Sequence, residues 1–453
     1  MSKFKTSLFI FRRDLRLHDN TALLHALKQS EKVIPLFIID DLQQNHPYFS
    51  SNAFEFMINS LKELKKQIQK KGSGLLIIKG EVLGVLNNLK KDTSYESIHV
   101  NQDYTPFSKK RDASIAQFCQ QKKISFYTHH DCLLNTPGEI LNNQQKMFKI
   151  FKSFKQQAMK KQVEKPKENS FDNYADPKIN QLSLDSLIKE KNPHLFLKGG
   201  SSEAVSLLKL FKNKDNYTAR KDFMYSNATS KLSAHLKFGT ISIREVYQYI
   251  KNNFSIDHEF ISQLYWRDFF HHIADSYPDV FGNAGNKKLN KIKWWGSKQE
   301  FKAWKKGETG YPLVDAGMRQ LQKTGWMHGR VRMITACFLV KNLGIDWRLG
   351  EQYFAQNLID YDPCVNNGNW QWVASTGHVA QPYFRIFNPF LQQQKYDPEC
   401  LYIKEWVDEL KQYDKKRIHT ILSNPISGYN KPIIDYKKSI KKSNKAYKNA
   451  FHA

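Results

Sequence analysis

The alternation of apolar and polar positions divides the chain into two regimes. In the first, short apolar runs at Ser7–Phe11, Val33–Ile39, Gly74–Ile78, Ser97–Val100 and Ile124–Tyr127 are separated by amphipathic stretches, clearest at Asn52–Lys70 and Lys109–Gln121. Short, uniformly apolar runs read as strands buried on both faces. Their alternation with helices predicts a parallel sheet covered on both sides. From Asp131 to Gly200 this rhythm dissolves. Lys146 to Lys167 is rich in Lys and Gln, and Pro166, Asn169 and Asn173 mark irregular chain, so a long surface connector is expected. Beyond Gly200 the period is helical, at Glu203–Lys212, Ile243–Asn252, Ile261–Asp275, Asp315–Lys323, Val331–Asn342 and Gly350–Leu358. Gly310 and Pro312 fit a loop before the Asp315 helix. The expected organisation is an α/β domain over 1–130, a connector over 131–200 and an all-α domain over 201–453. No internal repeat is visible.

Composition narrows the class. With 453 residues, 40% apolar and 13% aromatic, the chain can build two folded domains and a substantial core. No run approaches the ~20 apolar residues of a membrane-spanning helix. The N-terminal MSKFKTSLFIFRRDLR meets charge too early for a secretory signal, so a cytoplasmic protein, or a nuclear one in a eukaryote, is expected. Cys119, Cys132, Cys337, Cys364 and Cys400 are scattered without a CxxC pair, which predicts reduced thiols and no zinc site. A net charge of +27 favours a polyanionic partner, DNA or RNA first, although Lys62 to Lys71 shows that part of the excess is compositional bias. GxGxxG is missing, because Gly72 and Gly74 precede a strand rather than open a helix.

Two segments carry chemistry. FRRDLRLHDNTAL (Phe11–Leu23) follows a strand and offers three arginines in a loop before a helix, with Asp19 or Asn20 as its cap. Alone, it reads equally as an anion-binding or an ion-paired loop. DYDPCVNNGNWQW (Asp360–Trp372) gathers acids, adjacent amides and two Trp in one stretch. Polar atoms and indoles in that density suit a flat redox-active ring better than a core, which prefers Leu, Ile and Val.

Together with NATSKLSAHLKFGTIS (Asn227–Ser242), QLYWRDFFHH (Gln263–His272), TGYPLVDAGMRQL (Thr309–Leu321), GWMHGRVRM (Gly325–Met333) and the closing YNKPIIDYKKSIKKSNKAY, these motifs resemble the photolyase/cryptochrome family, in its order and over almost the whole chain. The resemblance implies an α/β, Rossmann-like first domain and a larger all-α domain that binds FAD without a glycine-rich phosphate loop. It implies flavin contacts from Tyr217, Thr229, Ser230, Lys231, Leu232, Ser233, Arg332, Asp360, Tyr361, Asp362 and Asn366. Hydroxyls and free N–H groups at the Thr229–Ser233 helix start could hold a pyrophosphate, although such a cluster by itself reads as capping. Arg332 and Asp360 match an ion pair beside the flavin ring, and Asn366 matches an amide facing its N5, where a donor favours the reduced anionic ring. Trp370, Trp347 and Trp294 match a relay that carries electrons inward from the surface. Without the resemblance, packing is the commoner role of such indoles.

The expected substrate is ultraviolet-damaged DNA with the lesion flipped out of the duplex. Lys221, Gln263, Trp266, Arg267, Gly329, Arg330, Met333, Trp372 and Arg385 fall at the family's lesion and phosphate positions. Met333 stands where relatives acting on (6-4) photoproducts carry His, which favours a cyclobutane pyrimidine dimer. Gln263 replaces a Glu of dimer-repairing relatives, and Gly329 replaces an Asn expected on the lesion. The implied activity is a carbon–carbon lyase in which light-excited reduced FAD donates an electron to the dimer. The alternatives are a (6-4) photolyase and a cryptochrome-like photoreceptor, against which the short C-terminus at Ala453 argues. A second, antenna chromophore is expected in the first domain. Its identity stays open because Val100–Asp112 lacks the acid that folate-binding relatives use. A monomer is expected.

Overall fold

The computed structural model of the chain describes residues 2–179, 182–188, 190–213, 216–379 and 384–452. Two compact units form. The first comprises residues 1–191, 197–213 and 230–278, and the second comprises 192–196, 214–229 and 279–453. Residues 201–213 and 230–278, helical in period like the C-terminal part, thus pack within the first unit.

The first unit is built on five strands, β1 (Phe4–Phe11), β2 (Ser30–Ile39), β3 (Leu76–Lys79), β4 (Ser97–Asn101) and β5 (Ser125–His129). Their order is β3-β2-β1-β4-β5 and every pair is parallel. Leu8 lies opposite Ile34 on one side and Ile98 on the other, so the central strands are apolar on both faces, as their uniform runs require. Helices α1 (Thr21–Gln29), α2 (Ser51–Gln69), α3 (Val82–Thr93) and α4 (Pro106–Lys122) supply the crossovers, each started by a side-chain cap from Asn20, Ser50, Glu81 or Thr105. Of the two cap candidates before α1, Asn20 is the one used. Its Oδ1 accepts from the Leu23 N–H at 3.2 Å.

The arginine-rich loop is ion-paired. Arg12 meets Asp112 at 2.8 Å, Arg13 meets Asp103 at 3.3 Å, and Arg16 meets Asp131 at 2.7 Å. Asp131 is buried, yet Arg16 and Arg244 hold its carboxyl below the usual carboxylate range.

The connector is more ordered than its composition predicts. It contains α5 (Phe151–Ala158), which buries Phe154 and Ala158 and packs on α9 (Glu259–Ser276). Three apolar positions on one face suffice for a short docked helix, while Lys152, Gln156 and Gln157 face outward and Lys155 donates to Ser262 Oγ of α9 at 2.7 Å. Between α5 and α9 run α6 (Ser201–Phe211), α7 (Ser233–Phe238) and α8 (Ile243–Asn253). Glu63 of α2 anchors α6 by accepting from the Ser202 N–H and hydroxyl, both at 2.8 Å.

The second unit is helical: α10 (Lys298–Lys306), α11 (Pro312–Thr324), α12 (Gly329–Cys337), α13 (Trp347–Asn357), α14 (Pro363–Ala374), α15 (Leu401–Trp406) and α16 (Tyr436–His452) are its main helices. They enclose one core containing Trp304, Trp347 and Trp370. Two boundaries differ from the periodic reading. Pro312 lies inside α11 as its first residue, where its missing N–H is no loss. The stretch Val331–Asn342 is not one α-helix, because α12 passes at Phe338 into a π-helical segment, Phe338–Leu343.

Candidate functional site

In the second unit the chemistry gathers on α12 and α14. Asp362 caps α14, its Oδ1 accepting from the N–H groups of Cys364 at 3.1 Å and Val365 at 3.3 Å. Pro363 follows as the first helical residue. Asn366 is half-buried, and its amide donates to the Glu351 carbonyl at 3.2 Å. Among the described residues, one amide hydrogen and the carbonyl oxygen stay uncommitted. Arg332 of α12 grips Asp360 with both η nitrogens, at 3.0 and 2.8 Å, and its Nε donates to the Met327 carbonyl at 2.8 Å. Such a bidentate pair is both strong and directional. Tyr217 is buried, whereas Tyr361 and Thr229 are half-buried.

The three expected relay indoles belong to this unit. Trp370 is 2% exposed and meets Phe354 and Trp304 edge-on, with ring centroids 4.9 and 6.5 Å away. Trp347 is fully buried, and its indole N–H has no hydrogen-bond partner among the described residues. Trp294 is half-buried and meets Tyr447 edge-on at 6.4 Å.

On the expected DNA side, Arg330 pairs with Asp222 at 2.8 Å and lies 4.7 Å over the Tyr396 ring. Lys221 is 3.8 Å from the same carboxylate. Met333 and Trp372 are half-buried and Arg385 is exposed. Gly329 is exposed, and a Cβ there would meet open space. His328 caps α12 through Nδ1, accepting from the Arg330 N–H at 3.1 Å, and burial pushes its pKa down to about 4.

The remaining expected site residues lie in the first unit. Ser230 and Leu232 are buried, Lys231 is half-buried in a left-handed conformation at φ 58°, and Ser233 begins α7 with its side chain exposed. Ser230 Oγ accepts from the Leu232 N–H at 3.3 Å in a local turn just before α7, whose start carries no side-chain cap. On α9, Gln263 is exposed. Arg267 donates to the carbonyls of Cys132 and Leu236. Trp266 stacks face to face with Phe151 at a centroid separation of 3.6 Å.

Sequence reasoning missed a polar network beneath α14. Asn367 is buried and donates to Glu351 Oε1 at 3.1 Å and to the Val280 carbonyl at 3.2 Å. Its Oδ1 accepts from Gln371 at 3.0 Å, and Gln371 Oε1 accepts from the Gly285 N–H at 2.9 Å. The available signal was two amides at four-residue spacing, which share one face only if the segment is helical.

Known proteins agree with this architecture. Residues 7–170 match the family model described as DNA photolyase, and residues 260–449 match the FAD binding domain of DNA photolyase. The deoxyribodipyrimidine photo-lyase of Alkalihalophilus pseudofirmus is 35% identical over 433 residues, covering 90% of this chain and 88% of that one. The crystal structure of an archaeal photolyase from Sulfolobus tokodaii, holding two FAD molecules, superposes with a TM-score of 0.91 at 43% identity and covers 98% of this chain and 100% of its own. A Synechocystis cryptochrome superposes at 0.90 with 27% identity, covering 98% of this chain and 100% of its own. Among the described residues, no helix is long and apolar enough to cross a membrane. Motif order, fold and these likenesses converge: the chain belongs to the DNA photolyase family.

Proposed function

We propose that this protein is a light-dependent DNA repair enzyme that splits cyclobutane pyrimidine dimers with FAD as its cofactor. The observation that carries the reading is the division of labour along α14. Its capping Asp362, its half-committed Asn366 and its buried Trp370 follow one another at four-residue spacing, and half-buried Trp372 lies two residues further on.

The donor set fits a flavin edge. Arg332 and Asp360 are locked together, and Asn366 keeps an amide hydrogen and a carbonyl oxygen for a planar partner with donors and acceptors on its rim. In this reading Asp360, Asp362 and Asn366 hold and orient the ring, Arg332 neutralises charge beside it, and Tyr217, Tyr361 and Thr229 line the same cofactor. Reduced FAD supplies a strong one-electron donor when it absorbs blue light. Trp370, Trp347 and Trp294 restore that reduced state. Met333 and Trp372 present apolar walls to an extruded lesion. Lys221, Arg330 and Arg385 meet phosphates, which gives affinity without sequence reading. In the first unit, Ser230–Ser233 are assigned to the cofactor and Gln263, Trp266 and Arg267 to DNA. The same unit is assigned an antenna chromophore, and a flavin is one candidate because the Sulfolobus relative holds two.

Gln263 favours a second reading, a (6-4) photolyase, since it offers a neutral amide where dimer-repairing relatives place an acid. One assay separates the readings. Reduced protein is illuminated with oligonucleotides bearing each lesion singly. Restoration of the cyclobutane dimer supports the proposal. Restoration of the (6-4) lesion alone, or of neither, overturns it, the last outcome favouring a photoreceptor.

A further inference from the structure

Three histidines of the first unit converge where α1 meets the edge of the sheet. His99 lies on β4, His129 on the outermost strand β5 and His25 on α1. Tyr127 pairs with His99 and Asn101 pairs with His129, so the two strand histidines are diagonal neighbours on one sheet face. His25 Nδ1 stands 3.3 Å from His99 Nδ1, and the His25 ring is centred 4.5 Å from that of His129. One nitrogen from each of the three lies within 4.8 Å of the other two.

Two features distinguish this cluster from packed aromatics. His99 Nε2 is 2.9 Å from Ser97 Oγ, and that hydroxyl continues through Ser7 to Ser30 in steps of 2.5 Å. A proton kept on Nε2 by Ser97 leaves Nδ1 as a lone pair facing His25. An outer-sphere partner orients metal-binding imidazoles in this way. His129 Nε2 is shielded from water and has no hydrogen-bond partner among the described residues, a condition that native structures seldom leave unexplained. His25 and His129 are half-buried, which leaves an approach from solvent.

We infer that His25, His99 and His129 form a binding site for a divalent transition-metal ion of the zinc type, with a fourth position open to water. Two nitrogens of a tetrahedral zinc site with bonds of about 2.0–2.1 Å are about 3.3 Å apart, the separation between His25 and His99. All three ligands are neutral, and Lys3 and Lys28 oppose a cation near His25. Asp131 acts in the other direction on His129, but Arg16 and Arg244 occupy its oxygens. Such a site selects a nitrogen-loving ion and not calcium or magnesium, which need oxygen donors. The scattered cysteines, which argued against zinc, bear only on thiolate sites.

The test uses untagged full-length protein stripped with a chelator and then titrated with Zn2+ calorimetrically and with Co2+ by absorption. One high-affinity equivalent and the visible bands of a nitrogen-ligated Co2+ ion are expected. His129→Gln and His25→Gln, checked for native circular dichroism, should each weaken that equivalent about a hundredfold, and Zn2+ should raise the Tm of the wild type alone. Equal stoichiometry and affinity in wild type and variants would assign the ion to other histidines and overturn the inference. Absence of the Co2+ bands in the unmutated protein would overturn it even if both variants misfold.

Discussion

Asp362, Asn366 and Trp370 recur every four residues, about one helical turn, so the helix that the structure forms over Pro363–Ala374 brings them to one side of α14, with Trp372 about 200° further round. The residue types and their spacing were legible in the sequence, whereas the helix that aligns them was not among the predicted elements. Asn367 and Gln371 share the same arithmetic, but their partners, Glu351 and the Val280 carbonyl, are named only by the fold. The relay proposed for Trp370, Trp347 and Trp294 allows a direct check. Trp370→Phe keeps an aromatic ring but removes the oxidisable indole, so light-driven reduction of oxidised flavin should slow at least tenfold while chemically pre-reduced protein keeps most of its repair rate. Unchanged photoreduction in flash-absorption measurements would contradict the relay. His328 makes a pH prediction. Its folded pKa of about 4 lies below the unfolded value of about 6.5, so its contribution is fully present above pH 6.5 and is lost as pH falls through 6.5 towards 4. His328→Asn keeps a capping acceptor without this titration. The urea midpoint of the wild type should therefore fall further between pH 7 and pH 5 than that of the variant, and equal drops would refute the assignment.

At the scale of elements, strand positions followed from uniform apolar runs and most helices from their period, because burial on two faces or one leaves a distinct pattern. The failures have physical causes. The connector hides α5 because its apolar face consists of Phe151, Phe154 and Ala158 alone, set amid Lys and Gln. Pro312 marked a break to the eye but is a favourable first helical residue, and its helix is locked by Asp315, which accepts from the Thr309 N–H at 2.7 Å and from Tyr429 Oη at 2.5 Å. The π-helical segment has no local signature. It ends at Gly344, where φ is 69° and a Cβ would strike the Trp295 ring. Two glycines, one on α13 and one on α12, should differ in their tolerance of a side chain. Gly350 of α13 faces the Trp370 ring, which a Cβ would approach to 2.3 Å, so Gly350→Ala should cost about 1–3 kcal/mol by overpacking. Gly329 faces open space, so Gly329→Asn should stay within about 0.5 kcal/mol of wild type. Thermal unfolding of both variants, with equal losses as the contrary result, decides the point.

For the molecule as a whole, 70 Lys and Arg against 43 Asp and Glu give the net charge that favours a polyanion. If phosphate contacts supply affinity for undamaged DNA, log affinity should fall against log salt by about 0.9 per contact, a slope of roughly −3 or steeper for several contacts. A nearly flat titration would assign the excess to composition. Charge is a sum over residues and needs no fold to be read. The order of motifs, the alternation that specifies a parallel sheet and the chemistry offered by Asp360–Trp372 likewise belong to the sequence, since each depends on residue type and short-range spacing. Which groups meet across long stretches of chain does not. Ion pairing of Arg12, Arg13 and Arg16 instead of anion binding, Phe151 lying on Trp266, and His25 closing on His99 and His129 all join residues from separate elements. A spacing rule tells which face a side chain occupies. Only the packing of one face on another, through the tertiary fold, decides its partner.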